Sequence, residues 1–177
     1  MSELDRYWEQ GLSFDRYLAE SPEHQDLWAG VHRLARIPDW AVARLAGGPP
    51  RRFLVIAEDW CGDASNTVPV LARWVAMVPG TELRVVRRDE HPELMDRYLT
   101  NGSRSIPIVI VLDQYGREVG YWGPRPRELQ AWVMANQAQV PKAELYPQVR
   151  RWYAKDHGQS TLREVLAAAG LPVAEAD

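Results

Sequence analysis

Cys61 is the single cysteine of this 177-residue chain, and it lies in the segment Trp60-Cys61-Gly62-Asp63-Ala64, between an apolar stretch and a predicted helix. A sulfur at the start of a helix is close to free backbone N–H groups and to the positive end of the helix dipole, both of which favour the thiolate. The Asp63 carboxylate acts in the opposite direction, because it disfavours a second negative charge nearby. We expect a modestly lowered pKa for the thiol and a reactive Cys61. The alternative is a small buried apolar side chain, a common role of free cysteines.

The remaining polar residues offer little further chemistry. The histidines (His24, His32, His91 and His157) show no spacing typical of metal ligands, and one cysteine cannot form a Cys-x-x-Cys pair. We therefore expect neither a metal nor a cofactor. The pair Glu58-Asp59 is predicted to be solvated, unless it orients a partner. The arginine doublets are scattered and are also predicted to be solvated surface: Arg51-Arg52, Arg87-Arg88 and Arg150-Arg151.

Composition and charge narrow the class of protein. Hydrophobic residues make up 46% of the chain, which is enough to form a sizeable core. The net charge of −3 gives no overall basic field that would attract nucleic acid. The N-terminal residues are charged and lead into no long apolar run, and the longest apolar stretch, around residues 106–112, is too short to cross a bilayer. Because a lone cysteine gives no sign of an oxidising compartment, we expect a cytoplasmic protein without a membrane partner.

The elements that position Cys61 are predicted from apolar runs and their periodicity. Strands are predicted at residues 53–57, 83–86, 108–112 and 118–122, and helices at 64–77, 92–99 and 129–137. This βαβαββα order implies a parallel strand pair followed by an antiparallel hairpin in one mixed sheet. We therefore predict an α/β domain at residues 51–138. A helical extension at residues 1–50 packs on it, and a second one follows at residues 139–177.

Local signals in the two extensions predict where their helices lie. Leu27 and Leu34 belong to a set of residues at the helical spacing of an apolar face. Ser21, which precedes a proline, is a predicted helix cap. In the C-terminal extension, the hydroxyl of Thr161 can pair with Glu164 in a capping box.

The segment Trp60-Cys61-Gly62-Asp63-Ala64 resembles the active site of the thioredoxin family, which also follows a strand and opens a helix. Further landmarks match that family in the same order: Pro69 as the proline that kinks the active-site helix, Arg104-Ser105-Ile106-Pro107 as the segment whose proline is cis, Gly116 in the hairpin and Gly123 after the last strand. The resemblance covers residues 51–137 and implies a thioredoxin-like fold. The N-terminal helices resemble those of a bacterial branch of thioredoxin-like proteins of largely unassigned function, in which a segment similar to residues 57–63 recurs.

Three positions depart from the pattern of the thioredoxin family. Ala64 stands where thioredoxins have the second, resolving cysteine, Val55 where they have a buried acid, and Val85 where they have the lysine that partners this acid. That buried pair is associated with proton transfer for the resolving cysteine. The absence of the resolving cysteine is consistent with the absence of the acid and its lysine. Without a proton to move, a buried carboxylate only adds a desolvation penalty. We therefore predict that this protein does not carry out ordinary dithiol chemistry.

The resemblance also implies a substrate-binding surface around Cys61, made of Trp60, Gly62, Asp63, Ala64, Arg104, Ile106 and Pro107. The backbone at Ile106-Pro107 would face the thiol and pair with an extended substrate; otherwise Pro107 is an ordinary strand-initiating proline. Trp60 either shields the sulfur and offers a docking surface or packs in the core. Asp63 either belongs to this surface or only complements the helix dipole, and Arg104, if it lies beside Pro107 in space, would offset the charge of Asp63 at the thiol.

Two functions are compatible with these residues. In the first, Cys61 attacks a protein disulfide or a thiol-capped protein, and a low-molecular-weight thiol resolves the adduct. In the second, the groove around Trp60 and Pro107, together with the added helices, holds a protein partner without catalysis. The position of Cys61 favours the first function, and the missing resolving cysteine favours the second. Whether the chain is a thiol-disulfide oxidoreductase is therefore left open by the sequence.

Overall fold

Within residues 1–173, five strands form one mixed sheet at the centre of the structure. The computed structural model describes residues 1–173. The strands are β1 (Leu12–Ser13), β2 (Arg52–Ala57), β3 (Glu82–Arg87), β4 (Ile108–Leu112) and β5 (Glu118–Trp122), and their spatial order is β1-β3-β2-β4-β5. Strands β2 and β3 are parallel, and the other neighbouring pairs are antiparallel. The sheet therefore contains the predicted parallel pair followed by the predicted antiparallel hairpin.

The central strands are buried on both faces, which explains their continuous apolar sequences. Along β2, Phe53 and Val55 pack on one side of the sheet, and Leu54 and Ile56 pack on the other. The register places Val55 beside Val85 on β3, and both side chains are fully buried. Two apolar residues thus lie side by side at the positions that the resemblance assigns to an acid and a lysine.

Helices cover both faces of this sheet. They are α1 (Asp5–Gln10), α2 (Phe14–Ala19), α3 (Gln25–Leu34), α4 (Asp39–Ala46), α5 (Gly62–Ala76), α6 (Pro92–Met95), α7 (Arg127–Asn136), α8 (Lys142–Asp156) and α9 (Gln159–Ala168), with a short 3-10 turn at Arg88–Glu90. Buried side chains of α2 to α5 and of α9 share one core, and those of α1 and α6 share the core on the opposite face. A smaller cluster joins α7 to α8. The division of the chain at residues 50 and 138 stays a prediction, and residues 174–177 of the C-terminal extension lie outside the described residues.

Within residues 1–173, no helix has the length and apolar character needed to cross a membrane.

The secondary structure of the N-terminal extension differs from its prediction in two places. It contains β1, whose Leu12 pairs with Val85 at the edge of the sheet, although the segment was predicted to be helical. A two-residue strand is too short to leave an alternating pattern in the sequence, and it covers an edge that would otherwise expose unpaired backbone groups. Ser21 is not a helix cap, because its hydroxyl donates to the carbonyl of Tyr17 at 2.8 Å and α3 begins only at Gln25.

Two other predicted helix features are wrong. No capping box forms between Thr161 and Glu164: α9 begins earlier, after Gly158, and the Glu164 carboxylate accepts a hydrogen bond from the indole of Trp122 at 3.1 Å. Helix α6 ends at Met95 rather than near residue 99. The Glu164 side chain, which was assigned to a local contact, instead bonds to strand β5.

Candidate active site around Cys61

Cys61 is the N-cap residue of α5, directly after the loop that follows β2. Its sulfur accepts a hydrogen bond from the backbone N–H of Ala64 at 3.5 Å, and its thiol donates to the carbonyl oxygen of Ile106 at the same distance. The side chain is partly exposed. Helix α5 continues through Pro69 in its interior. The predicted juxtaposition of the thiol with the loop before β4 is therefore present.

Burial raises the pKa of the Cys61 thiol, contrary to the lowered value expected from its place at a helix start. Desolvation is the largest cause, and the Asp63 carboxylate raises the pKa further. The N–H of Ala64 and the guanidinium of Arg125 lower it, but they do not outweigh the other two. The thiol form therefore predominates at neutral pH.

This raised pKa predicts slow alkylation of Cys61 at pH 7. Only the thiolate reacts, so the rate should increase as the pH rises through a range above the pKa of an ordinary cysteine. We expect the pH at which the rate of the iodoacetamide reaction is half-maximal to be higher for Cys61 than for N-acetylcysteine in the same buffers. When the protein is unfolded in urea, this pH should fall to the value of N-acetylcysteine. A midpoint in the folded protein at or below that of N-acetylcysteine would contradict the prediction.

Asp63 is buried and links three parts of the chain. Its carboxylate accepts a hydrogen bond from the hydroxyl of Tyr153 on α8 at 2.7 Å and forms an ion pair with Arg125, after β5, at 3.0 Å. Burial raises the pKa of Tyr153 above its ordinary range, so the phenol remains a donor. The predicted partner, Arg104, instead pairs with Asp96 at 2.7 Å. The charge of Asp63 is therefore compensated by Arg125, and its role extends beyond the helix dipole.

The loop before β4 forms the wall opposite the thiol. The Ile106–Pro107 peptide bond is cis, as is Gly123–Pro124. Ile106 lines the groove, whereas Pro107 is buried beneath it. Gly123 has a φ of +130°, and a Cβ at this position would overlap the carbonyl oxygen of Pro107. A glycine is required here because the two chain segments are packed backbone to backbone.

The loop before Cys61 is held by the N-terminal extension. Asp59 pairs with His24 at 2.8 Å, and its carbonyl accepts a hydrogen bond from the buried indole of Trp28 at 2.9 Å. Glu58 accepts from the backbone N–H of Asp89 at 3.0 Å, and burial raises the pKa of its carboxyl. The prediction that Glu58 and Asp59 are simply solvated is therefore wrong.

Trp60 does not pack in the core. It is 54% exposed, and the guanidinium of Arg88 lies over its ring, 5.0 Å from the centroid. This arrangement leaves a large aromatic surface beside the sulfur, with a cation on one side. The docking role considered for Trp60 is therefore compatible with its exposure, whereas core packing is not.

A groove of about 750 Å³ brings most of the predicted site residues together: Trp60, Cys61, Gly62, Asp63, Arg104 and Ile106. Ala64 is not among them, because its side chain is fully buried in the core and is not available to a ligand. Among residues 1–173, no group of three or more histidine, cysteine or acidic side chains is arranged to hold a metal ion.

The groove is also lined by residues that were not predicted to be site residues: Arg88, Asp89, Ser103, Ser105, Arg125, Tyr146 and Arg150. Arg88 and Arg150 belong to doublets that were predicted to be solvated surface. Arg150 is exposed as predicted, Arg88 is partly buried, and both line the groove. The missed signal for Arg150 is its spacing from Tyr146, because residues four apart share one face of a helix. No sequence signal links Arg125 or Tyr153 to Asp63.

Comparison with known proteins supports the resemblance. A thioredoxin family model matches residues 11–142, well over half of the chain. The structure is similar to the crystal structure of an HIV epitope scaffold, with a TM-score of 0.74, 19% identity, and coverage of 96% of this chain and 98% of that one. It is equally similar to a protein of unknown function from Pseudomonas aeruginosa, with a TM-score of 0.74, 22% identity and the same coverage. The search of curated proteins found no match.

At these identities the two structures bear on the fold alone. Together with the family match, they confirm the predicted thioredoxin-like mixed α/β sheet. The family match also includes most of the N-terminal helices, so it is wider than the span in which the sequence motifs were recognised. This chain belongs to the thioredoxin family.

Proposed function

We propose that the protein is a monothiol redox protein in which Cys61 carries out thiol–disulfide exchange and an external low-molecular-weight thiol completes the cycle. The observation that supports this proposal best is the surroundings of the sulfur. It lies at the start of α5, in an open groove, 3.5 Å from the Ile106 carbonyl oxygen. A substrate disulfide in the groove would reach the sulfur beside a backbone segment that can pair with it.

The proposed substrate is a protein whose cysteine is joined to a small thiol in a mixed disulfide. The Cys61 thiolate attacks the sulfur of the small thiol, a disulfide forms between them, and the protein cysteine leaves as a thiolate that takes up a proton. A second small thiol, as its thiolate, then attacks the small-thiol sulfur of this adduct and releases Cys61. In the net reaction one free small thiol is oxidised: it forms a disulfide with the small thiol that had capped the protein cysteine, and the protein cysteine is reduced. In the cytoplasm, the compartment predicted from the sequence, such thiols are kept reduced.

A turnover assay tests the proposal. The substrate is a fluorescent peptide whose cysteine is capped by free cysteine, and excess free cysteine serves as the resolving thiol. We expect the protein to release the peptide faster than free cysteine alone, and Cys61→Ser to return the rate to this background, because a serine oxygen cannot form the mixed disulfide. Ala167→Ser, which adds the same side chain at an exposed position of α9, should retain full activity. Full activity in Cys61→Ser would exclude the proposal.

Protein binding without catalysis is a second candidate function, and the raised pKa of Cys61 favours it. The two candidates differ in what Cys61→Ala does to a captured partner. Non-catalytic binding requires the same partner to be retained by the variant and by the native protein. The redox proposal requires a complex that depends on Cys61 and is released by a reducing agent.

A further inference from the structure

We infer that the groove beside Cys61 binds an extended, acidic protein segment, and that Arg150 on α8 contributes to the selection of this segment. This inference rests on the proposed function only in that thiol–disulfide exchange at Cys61 is taken to follow binding. The binding step itself does not require the thiol, so it can be measured separately.

The groove carries positive charge on a protein whose net charge is −3. Its charged lining residues are Arg88, Arg104, Arg125, Arg150, Asp63 and Asp89. The charge of Arg104 is balanced by Asp96, which lies outside the groove. The three other arginines and the two aspartates of the lining then leave an excess of one positive charge. An acidic ligand is therefore favoured over a neutral or basic one.

Arg150 is the source of this excess. The three other arginines each have an aspartate oxygen within 3.0 Å, whereas Arg150 has no ion-pair partner among residues 1–173. Its side chain is exposed, so its N–H donors are accessible to a ligand carboxylate, which can bind a guanidinium in a bidentate manner. Tyr146 precedes it by one helical turn and lines the same groove. Tyr153, bound to Asp63, holds this helix in place.

The lining favours a protein segment over a small molecule. Trp60 is 54% exposed and Tyr146 is 43% exposed, and they line the groove together with the arginines. Exposed tryptophan, tyrosine and arginine are the residues that contribute most to binding at protein interfaces, whereas small-molecule sites are mostly apolar and enclosed. An acidic segment on either side of a substrate cysteine would contact Trp60 and present carboxylates to Arg150.

Fluorescence anisotropy with the Cys61→Ser protein tests this inference without covalent capture. The probe is a labelled peptide with a central serine and glutamates at alternate positions; the control peptide has lysines instead. We expect the glutamate peptide to bind about tenfold more tightly at low salt, and its affinity to fall between about 50 mM and about 500 mM salt. Equal affinities for the two peptides would overturn the inference.

The neighbouring arginine provides a matched control for Arg150. Arg150→Gln should weaken binding of the glutamate peptide by about three- to fivefold, the range for one exposed ion pair. Arg151→Gln removes the same charge from an exposed residue that lies outside the groove and should change the affinity less than about 1.5-fold. Equal effects of the two variants would show that net charge acts at long range and would overturn the role of Arg150. A failed turnover assay leaves these binding results unaffected.

Discussion

Replacing Asp63 with asparagine is expected to lower the free energy of unfolding by about 3 kcal/mol and, at the same time, to lower the pKa of the Cys61 thiol. Asparagine keeps the shape of the side chain and an oxygen that can accept the Tyr153 hydrogen bond. It leaves the charge of Arg125 unpaired, with only 18% of that side chain exposed. The carboxylate that raises the thiol pKa is lost, and the guanidinium that lowers it remains. Urea unfolding and the pH dependence of iodoacetamide alkylation measure the two effects.

The surface ion pair between Asp96 and Arg104 provides the control. Its 2.7 Å separation is shorter than that between Asp63 and Arg125, but both side chains are about half exposed. Solvent screens this pair, so Asp96→Asn should change the free energy of unfolding by less than about 1 kcal/mol and leave the thiol pKa unchanged. Similar losses in the two asparagine variants would contradict the argument that burial determines the effect.

Gly123→Ala is expected to destabilise the protein by at least about 3 kcal/mol and to reduce thiol–disulfide exchange. The φ of +130° is unfavourable for alanine, and the new methyl group would overlap the carbonyl oxygen of Pro107 and lie 3.2 Å from the Cα of Ile108. These neighbours are backbone atoms, so the chain itself must move. The Ile106 carbonyl, which contacts the sulfur, would move with it. Urea unfolding and the turnover assay measure the two effects.

Gly30→Ala is the matched control for this substitution. Gly30 lies within α3, its φ is not in the left-handed region, and a Cβ there meets nothing within 4 Å. Alanine should stabilise the protein by about 0.4–1 kcal/mol, because it has the higher helix propensity and restricts the unfolded chain. A destabilising effect of similar size at both glycines would contradict the packing argument for Gly123.

The sheet and the start of the thiol helix could be predicted from the sequence because their signals are local. Strands β4 and β5 have the predicted bounds, since each is a short run of strand-forming residues flanked by turn residues. Cys61 was placed correctly at the start of a helix for the same reason. In α3, by contrast, helical spacing alone did not identify the buried face: Leu27 and Leu34 are 54% and 69% exposed, while Trp28 is fully buried. A tryptophan that both packs and donates a hydrogen bond determines how that helix is oriented.

The electrostatics of the site could not be predicted, because they depend on residues far apart in the chain. The helix start favours the thiolate, but the pKa of Cys61 is raised because folding removes the sulfur from water. The choice of Arg125 over Arg104 as the partner of Asp63 depends on where the chain after β5 returns to the sheet. Contacts of this kind have no periodicity and no fixed spacing, so a single sequence gives no signal for them.

The hydrogen bond between Tyr153 and Asp63 joins residues ninety positions apart, which has a consequence for biosynthesis. Protein chains emerge from the ribosome N-terminal end first, so the sheet and the thiol helix are available to fold before α8 has been synthesised. During that interval Asp63 lacks its phenol partner, and the groove lacks the wall that carries Arg150. The nascent polypeptide therefore exposes its cysteine before the wall that carries Arg150 has been synthesised, and the proposed recognition surface forms only once α8 has emerged.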